Sequence, residues 1–334
     1  MTQRDHSTPE RMSAWRQHRY GGPDTLHREE VPVPTPRAGD VLLRVAATGL
    51  NSADVRLLRG EPLLVRLAFG LRRPKNPVRG MDVAGVVVGV GPDVTSFAIG
   101  DDVVGELSGG GLAPYATAPA RLLARRPESV SVVAAAATPM AAGTAWQALE
   151  RGGVAAGDRV LVLGASGGVG HFAVQLATSR GAVVEATCGD RNRAFIAGLG
   201  AQTTWDYGTT PIEALPHGAY DVVIDVAGTA ALRALRALLR PGGRAVLVAG
   251  EGSRLLGPMG RLLRATILSI GSRRPLLPLA AVAKPEITSS LLARVADGSL
   301  RPMIERTWPL AEANDAVAHV DAGHTVGKVV VEVA

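Results

Sequence analysis

The segment DRVLVLGASGGVGHFAVQLATSRGA (158–182) sets an apolar run, a glycine-rich turn and an amphipathic stretch end to end. RVLVLG has no polar alternation, so it is read as a strand buried on both faces. Val169, Phe172, Ala173, Leu176 and Ala177 then repeat at helical spacing and define one buried stripe. Between them lie Gly164, Ala165, Ser166, Gly167, Gly168, Val169 and Gly170. Residues this small let the backbone turn tightly and approach a pyrophosphate, whose charge is met by N–H groups at a helix N-terminus. Gly170 also permits close helix–strand contact. Glycine strings often do no more than turn a chain, but strand, turn, helix and following strand in this order predict a dinucleotide-binding unit.

Four further apolar runs share the texture: AVVEAT (182–187), YDVVIDV (220–226), RAVLVAG (244–250) and TILSIG (266–271). Each is read as a strand of the same parallel sheet. Leu232, Leu235, Leu238 and Leu239 mark a helix stopped by Pro241-Gly242-Gly243, and 285–296 and 310–320 carry two more helical patterns. This alternation predicts a doubly wound α/β domain. From Trp15 to about Ala134 the chain instead breaks into short apolar runs separated by Gly and Pro. Examples are VLLRVAATG (41–49), MDVAGVVVGVG (81–91) and DDVVGEL (101–107), which suit a small, mostly β domain. A last strand is expected in GKVVVEV (327–333).

With 334 residues, 46% hydrophobic and 20% charged, the chain suits two globular domains rather than a disordered or fibrous one. A net charge of +6 raises the question of nucleic acid. Only Lys75, Lys284 and Lys328 of the 36 basic residues are lysines, the arginines are spread along the whole chain, and aromatics are only 4%, so no nucleic-acid partner is expected. The single cysteine, Cys188, excludes an internal disulfide and a thiolate-rich metal site, and favours a cytoplasmic protein. The opening MTQRDHSTPERMSAW has no apolar core for a signal peptide. The stretch 130–149 is interrupted by Ser131, Thr138, Pro139 and Gly143, so no membrane span is expected.

Together and in order, several segments resemble the zinc-independent medium-chain dehydrogenase/reductases of the quinone oxidoreductase and enone reductase type, including the reticulon-interacting oxidoreductase group. They are TGLNSADVRLLRGEP (48–62), RPKNPVRGMDVAGVVVGVG (73–91), MAAGTAWQAL (140–149), the GASGGVG turn, TTWDY (203–207), LRPGGRAVLVAG (239–250) and GHTVGKVVVEV (323–333). The resemblance implies a Rossmann doubly wound parallel sheet inserted in a GroES-like, mostly β domain. On this reading residues 13–133 form the first part of the GroES-like domain, 134–299 the Rossmann domain, and 300–334 the return. The implied activity is hydride delivery from NADPH, with NADH the alternative, to a quinone or α,β-unsaturated carbonyl. A homodimer is the expected assembly, with 255–283 contributing to subunit contact. A second reading keeps the dinucleotide but assigns a redox-neutral or sensing role.

Zinc-dependent relatives carry a cysteine in the stretch here reading GLNSAD (49–54) and a His-Glu pair where this chain has Met81-Asp82; Asn51 and Met81 stand at the ligand places, so no metal is expected. A lone helix histidine such as His171 is read as a packing or surface residue. The implied cofactor contacts are Gly164, Ala165, Ser166, Gly167, Gly168, Val169, Gly170, Ala249 and Gly250, with Thr144 and Lys328 near the nicotinamide. Gly189, Arg191 and Tyr207 belong to the adenosine-phosphate end. Asp190 and Arg191 stand side by side: an acid suits the ribose 2′-OH of NAD, an arginine the 2′-phosphate of NADP. Asn51 is the implied catalytic residue, orienting the cofactor or donating to the acceptor oxygen; Asn51-Ser52-Ala53-Asp54 also reads as a plain helix cap. Lys75 and Asp82 are secondary candidates, with an ion pair or a surface position as the alternative. RGEPLLV (59–65) lacks the tyrosine that donates a proton in some relatives, which leaves water to protonate the product.

Overall fold

The structure is a computed structural model that describes residues 3–4, 8–248 and 256–333. The chain divides into two compact units, Met1–Gly143 with Ala283–Ala334, and Thr144–Val282. In the first, the strands are β1 (Gln3–Arg4), β2 (Arg11–Gln17), β3 (Leu26–Pro32), β4 (Asp40–Leu50), β5 (Asp82–Val90), β6 (Asp102–Glu106), β7 (Tyr115–Pro119) and β8 (Leu123–Arg125). Helices α1 (Ser52–Arg59), α2 (Arg66–Phe69) and α3 (Val132–Ala136) lie among them, and α4 (Pro139–Gly152) begins in this unit.

The second unit holds β9 (Arg159–Leu163), α5 (Gly170–Ser179), β10 (Val183–Cys188), α6 (Arg193–Gly198), β11 (Thr203–Asp206), β12 (Tyr220–Asp225), α7 (Leu232–Leu238), β13 (Leu239–Leu247), α8 (Met259–Ser269) and β14 (Leu276–Pro278). The chain then returns to the first unit with α9 (Pro285–Ala296), β15 (Ile304–Pro309), α10 (Ala313–Asp321) and β16 (Lys328–Glu332).

In the first unit an eight-stranded sheet runs β15-β16-β4-β5-β6-β8, with β1 added beside β5 and β7 beside β4, and β2-β3 form a separate ribbon. Alternate inward residues Val41, Leu43 and Val45 of β4 meet Val83, Val87, Val103 and Leu123 in one core cluster. The register sets the ends of four strands side by side. Val329 pairs with Leu50, Gly49 with Asp82, and Asp82 with Glu106.

The second unit is a six-stranded sheet in the order β11-β10-β9-β12-β13-β14, every pair parallel. That is the doubly wound Rossmann order, with the turn after its first strand at the point where the order reverses. Leu161, Leu163, Val223, Leu235, Leu247 and Leu276 pack in its core. This unit is shorter at both ends than the 134–299 that the resemblance implies. Ala135, Ala136 and Ala137 pack with Ala47, Ala84 and Val104 of the first unit, and Leu292 of α9 joins the same cluster.

Two sequence expectations are corrected. TILSIG (266–271) is not a strand but the end of α8. Only Ala265 is buried there, whereas Leu263, Ile267 and Leu268 are exposed, and apolar residues on both faces conceal the helical period. The sixth strand is β14 instead, and the polar TTWD supplies an edge strand, β11, that periodicity does not reveal. Pro241-Gly242-Gly243 does not terminate α7, which has already ended at Leu238. These residues lie within β13, where the register shifts between the Tyr220–Leu239 and Val222–Arg244 pairs. Among the described residues no helix is long and apolar enough to cross a membrane.

Candidate active site

The first unit concentrates its buried charge where β4, β5 and β16 meet. Asn51 leaves β4 in extended conformation and caps α1: its N–H donates to Asp54 Oδ2 at 3.0 Å, and Asp54 N–H returns to Asn51 O at 2.9 Å. The cap reading is therefore correct for the backbone, while the Asn51 side chain is engaged elsewhere. Its Nδ2 donates to Asp82 Oδ2 at 3.0 Å and, more weakly, to Gly49 O at 3.4 Å. Lys328 Nζ donates to Asn51 Oδ1 at 2.5 Å and to Leu50 O at 2.9 Å, and lies 3.7 Å from Asp82 Oδ2. Met140 N–H donates to the Asp82 carboxylate at 3.2 Å. Asp82 is 0% and Lys328 2% exposed, while Asn51 is half-buried.

A group so buried resists its charged form. Burial pushes the Asp82 carboxyl up to about 6, against the pull of Lys328 and the Asn51 hydrogen bond. Glu106, opposite Asp82 across the ladder, is pushed up to about 7 by burial and by the charges of Asp82 and Asp54. Asp54 is raised by burial although it accepts from the N–H groups of Asn51 and Gly80. Burial lowers Lys328 and Arg79, and neighbouring acids oppose both shifts. Sequence reasoning misses Asp54, Arg79 and Glu106, because the groups that face them come from other segments: Gly80 for Asp54, Tyr20 and Asp54 for Arg79, Asp82 and Lys328 for Glu106. Lys75 is exposed, as its surface alternative has it.

The second unit builds the turn between β9 and α5. Gly164 has φ +80°, in the left-handed region. Its N–H donates to Thr187 Oγ1 at 3.2 Å, and Ala165 N–H donates to Thr187 O at 2.9 Å, so the turn is pinned to the end of β10. A Cβ on Gly170 would fall 2.2 Å from Gly164 O and 2.6 Å from Ala165 Cα, which leaves glycine alone at the first residue of α5. Ser166, Gly167, Gly168 and Val169 remain partly accessible before that helix end. The helix dipole and its first N–H groups favour an anion there. The turn therefore fits a pyrophosphate. His171 is fully buried, its Nδ1 3.0 Å from Gly167 O, and packs as expected.

At the end of β10, a Cβ on Gly189 would lie 3.3 Å from Tyr207 Oη, and Tyr207 itself is 59% exposed. Arg191 is exposed; Arg193 contacts Thr204 Oγ1 at 3.2 Å and Asp190 at 3.5 Å. At the end of β12, Asp225 accepts from Gly228 N–H and from Arg261 of α8, which also donates to Ala230 O. Thr144 lies well inside α4. Ala249 and Gly250 fall outside the described residues.

Comparison with known proteins agrees with both units. Residues 37–128 match the alcohol dehydrogenase GroES-like domain family and 199–331 the zinc-binding dehydrogenase family. The chloroplast envelope quinone oxidoreductase homolog of Arabidopsis thaliana is 37% identical, covering 96% of this chain and 98% of the relative. The chain is a medium-chain dehydrogenase/reductase. Another medium-chain relative, the chloroplastic NADPH-dependent alkenal/one oxidoreductase of Arabidopsis thaliana, is 31% identical over 98% of this chain and 81% of its own length. The quinone oxidoreductase structure from Coxiella burnetii superposes with a TM-score of 0.86 at 29% identity, covering 97% of this chain and all of that one.

The raised Asp82 has a consequence for stability. The folded protein holds this proton up to about pH 6, whereas an unfolded aspartate loses it near 4, so folding binds a proton between them and the group's contribution to stability falls as pH rises from about 4 to about 6. Urea unfolding of wild type and Asp82→Asn across that window should show wild type losing stability relative to the variant as pH rises. A pH-independent difference would contradict the assignment.

Proposed function

We propose that this medium-chain dehydrogenase/reductase is an NADPH-dependent, zinc-free reductase that delivers hydride to a quinone or an α,β-unsaturated carbonyl. The observation that carries this reading is Asn51: a carboxamide held by Lys328 and Asp82 occupies the position where zinc-dependent members place a cysteine. The residues do not fit zinc. Met81 replaces the histidine, Cys188 is buried in β10, and among the described residues no group of three His, Cys, Asp or Glu side chains could hold a metal ion. The relatives named for quinone and alkenal/one reduction support the same acceptor class.

The nicotinamide, when bound, supplies the hydride. The protein binds and orients. The 164–170 turn meets the pyrophosphate, Gly189, Arg191 and Tyr207 the adenosine phosphate, and Asn51 the acceptor or nicotinamide end. Reduction of an enone or quinone leaves an enolate or phenolate, an anion that hydrogen bonds stabilise without a Lewis acid. With no tyrosine in 59–65, water protonates it. The single cysteine suits a reducing, cytoplasmic setting.

A homodimer is supported by an apolar stripe. Leu256, Met259, Leu263, Ile267 and Ile270 repeat along α8 and its flanks and are all exposed, and β14 beside it is the edge of its sheet among the described residues. Sedimentation should give a dimer for wild type and a monomer for Ile267→Asp; a monomeric wild type would end this assignment.

Activity is tested by following NADPH oxidation with a panel of quinones and enones before and after exhaustive chelation. Turnover that survives chelation is expected. No turnover with any acceptor would favour the redox-neutral reading, and loss on chelation restored by added zinc would reverse the metal assignment. Arg191→Ala should raise the KM for NADPH by roughly 10- to 100-fold, as loss of one charge-assisted phosphate contact implies, and leave that for NADH nearly unchanged. Equal effects on both cofactors would move the specificity role to Asp190.

A further inference from the structure

By resemblance Lys328 would touch the cofactor, yet its surroundings turn it inward. An ammonium has three protons to donate. Leu50 O and Asn51 Oδ1 accept from Nζ, Asp82 Oδ2 stands 3.7 Å away, and only 2% of the residue reaches solvent. The accessible member of the cluster is Asn51. A carboxamide has two flips of nearly equal shape, distinguished only by which end is the oxygen. Here a cation faces its oxygen and a carboxylate faces its nitrogen. Exchanging the ends would set NH₂ against the ammonium and C=O against the carboxylate, two repulsive contacts in a buried site where charge is weakly screened.

We propose that Lys328 and Asp82 are positioning residues that lock the Asn51 carboxamide in one flip, so that its second N–H, held among the described residues only by Gly49 O at 3.4 Å, is the donor offered to a ligand oxygen. The inference rests on the reductase reading and deepens it. Every element around Asp82 bears on the lock: Lys328 from β16, Asn51 and Asp54 at the start of α1, Glu106 from β6, and Met140 N–H from α4, with Arg79 facing Asp54. Protonating Asp82 removes the anion that holds the nitrogen end, so the lock weakens on the acid side.

The test combines kinetics with a signal independent of turnover. For Lys328→Met, kcat should fall roughly 10- to 100-fold while the NADPH Kd stays within about 3-fold, as expected for lost orientation rather than lost binding. The acid limb of the kcat profile should move to higher pH, because Asp82 loses the cation facing it, and Lys328→Arg should recover most of the rate. Asn51 is one of four asparagines, with Asn76, Asn192 and Asn314, so selective ¹⁵N-asparagine labelling resolves its side-chain NH₂ pair, assigned by its loss in Asn51→Ala. In wild type that pair should titrate with the acid limb, a readout that stands even if Lys328→Met does not fold. An NADPH Kd raised tenfold at unchanged kcat would make Lys328 a direct cofactor contact instead. A wild-type Asn51 pair indifferent to pH between about 5 and 7, where a carboxyl held near 6 titrates, would overturn the lock. If wild type reduces no acceptor, the reductase reading fails, and the ¹⁵N titration still decides the lock.

Discussion

An ammonium taken out of water costs several kcal/mol unless the protein surrounds it with acceptors and opposite charge. Lys328 meets that requirement with groups that are far apart in sequence: the carbonyl of Leu50, the amide of Asn51 and the carboxylate of Asp82. They come together because β16 pairs with β4 and β4 with β5 in a register that aligns Leu50 with Val329 and Gly49 with Asp82. A one-residue slip in either ladder would turn the inward side chains outward and leave charge unpaired in the interior. The ion pair thus constrains the strand register, and the register places Asn51, half-buried, at the edge of the cluster.

The second unit obeys a different constraint, close approach of backbones. Gly170 has no room for a Cβ against Gly164 and Ala165, and Thr187 holds the N–H groups of Gly164 and Ala165 from the neighbouring strand. At Gly189 the same closeness recurs, since the Tyr207 hydroxyl approaches the space that a side chain there would occupy.

Legibility in the sequence followed locality. The 158–182 turn, the buried strands around it and the mostly β character of the first part could be read because each depends on neighbours a few residues apart. TILSIG failed for a physical reason: α8 buries so narrow a stripe that its composition imitates a strand. TTWD failed because an edge strand need not alternate. At the candidate site, the sequence pointed to Asn51 only through its resemblance to a family position. The burial of Lys328 and Asp54 was not legible, since charged residues read as surface until their partners from distant segments are known.

Arg261 joins two features that otherwise look separate. It belongs to α8, the helix with the exposed apolar stripe, and its guanidinium grips Asp225 and Ala230 O at the carboxyl end of β12. In a doubly wound sheet that end is where a dinucleotide lies. In the proposed dimer, a shift of α8 on subunit contact would be transmitted to the loop after β12, and ordering of that loop by ligand would be felt by the helix. Association and cofactor affinity would then share a coupling free energy, each changing the other by the same factor.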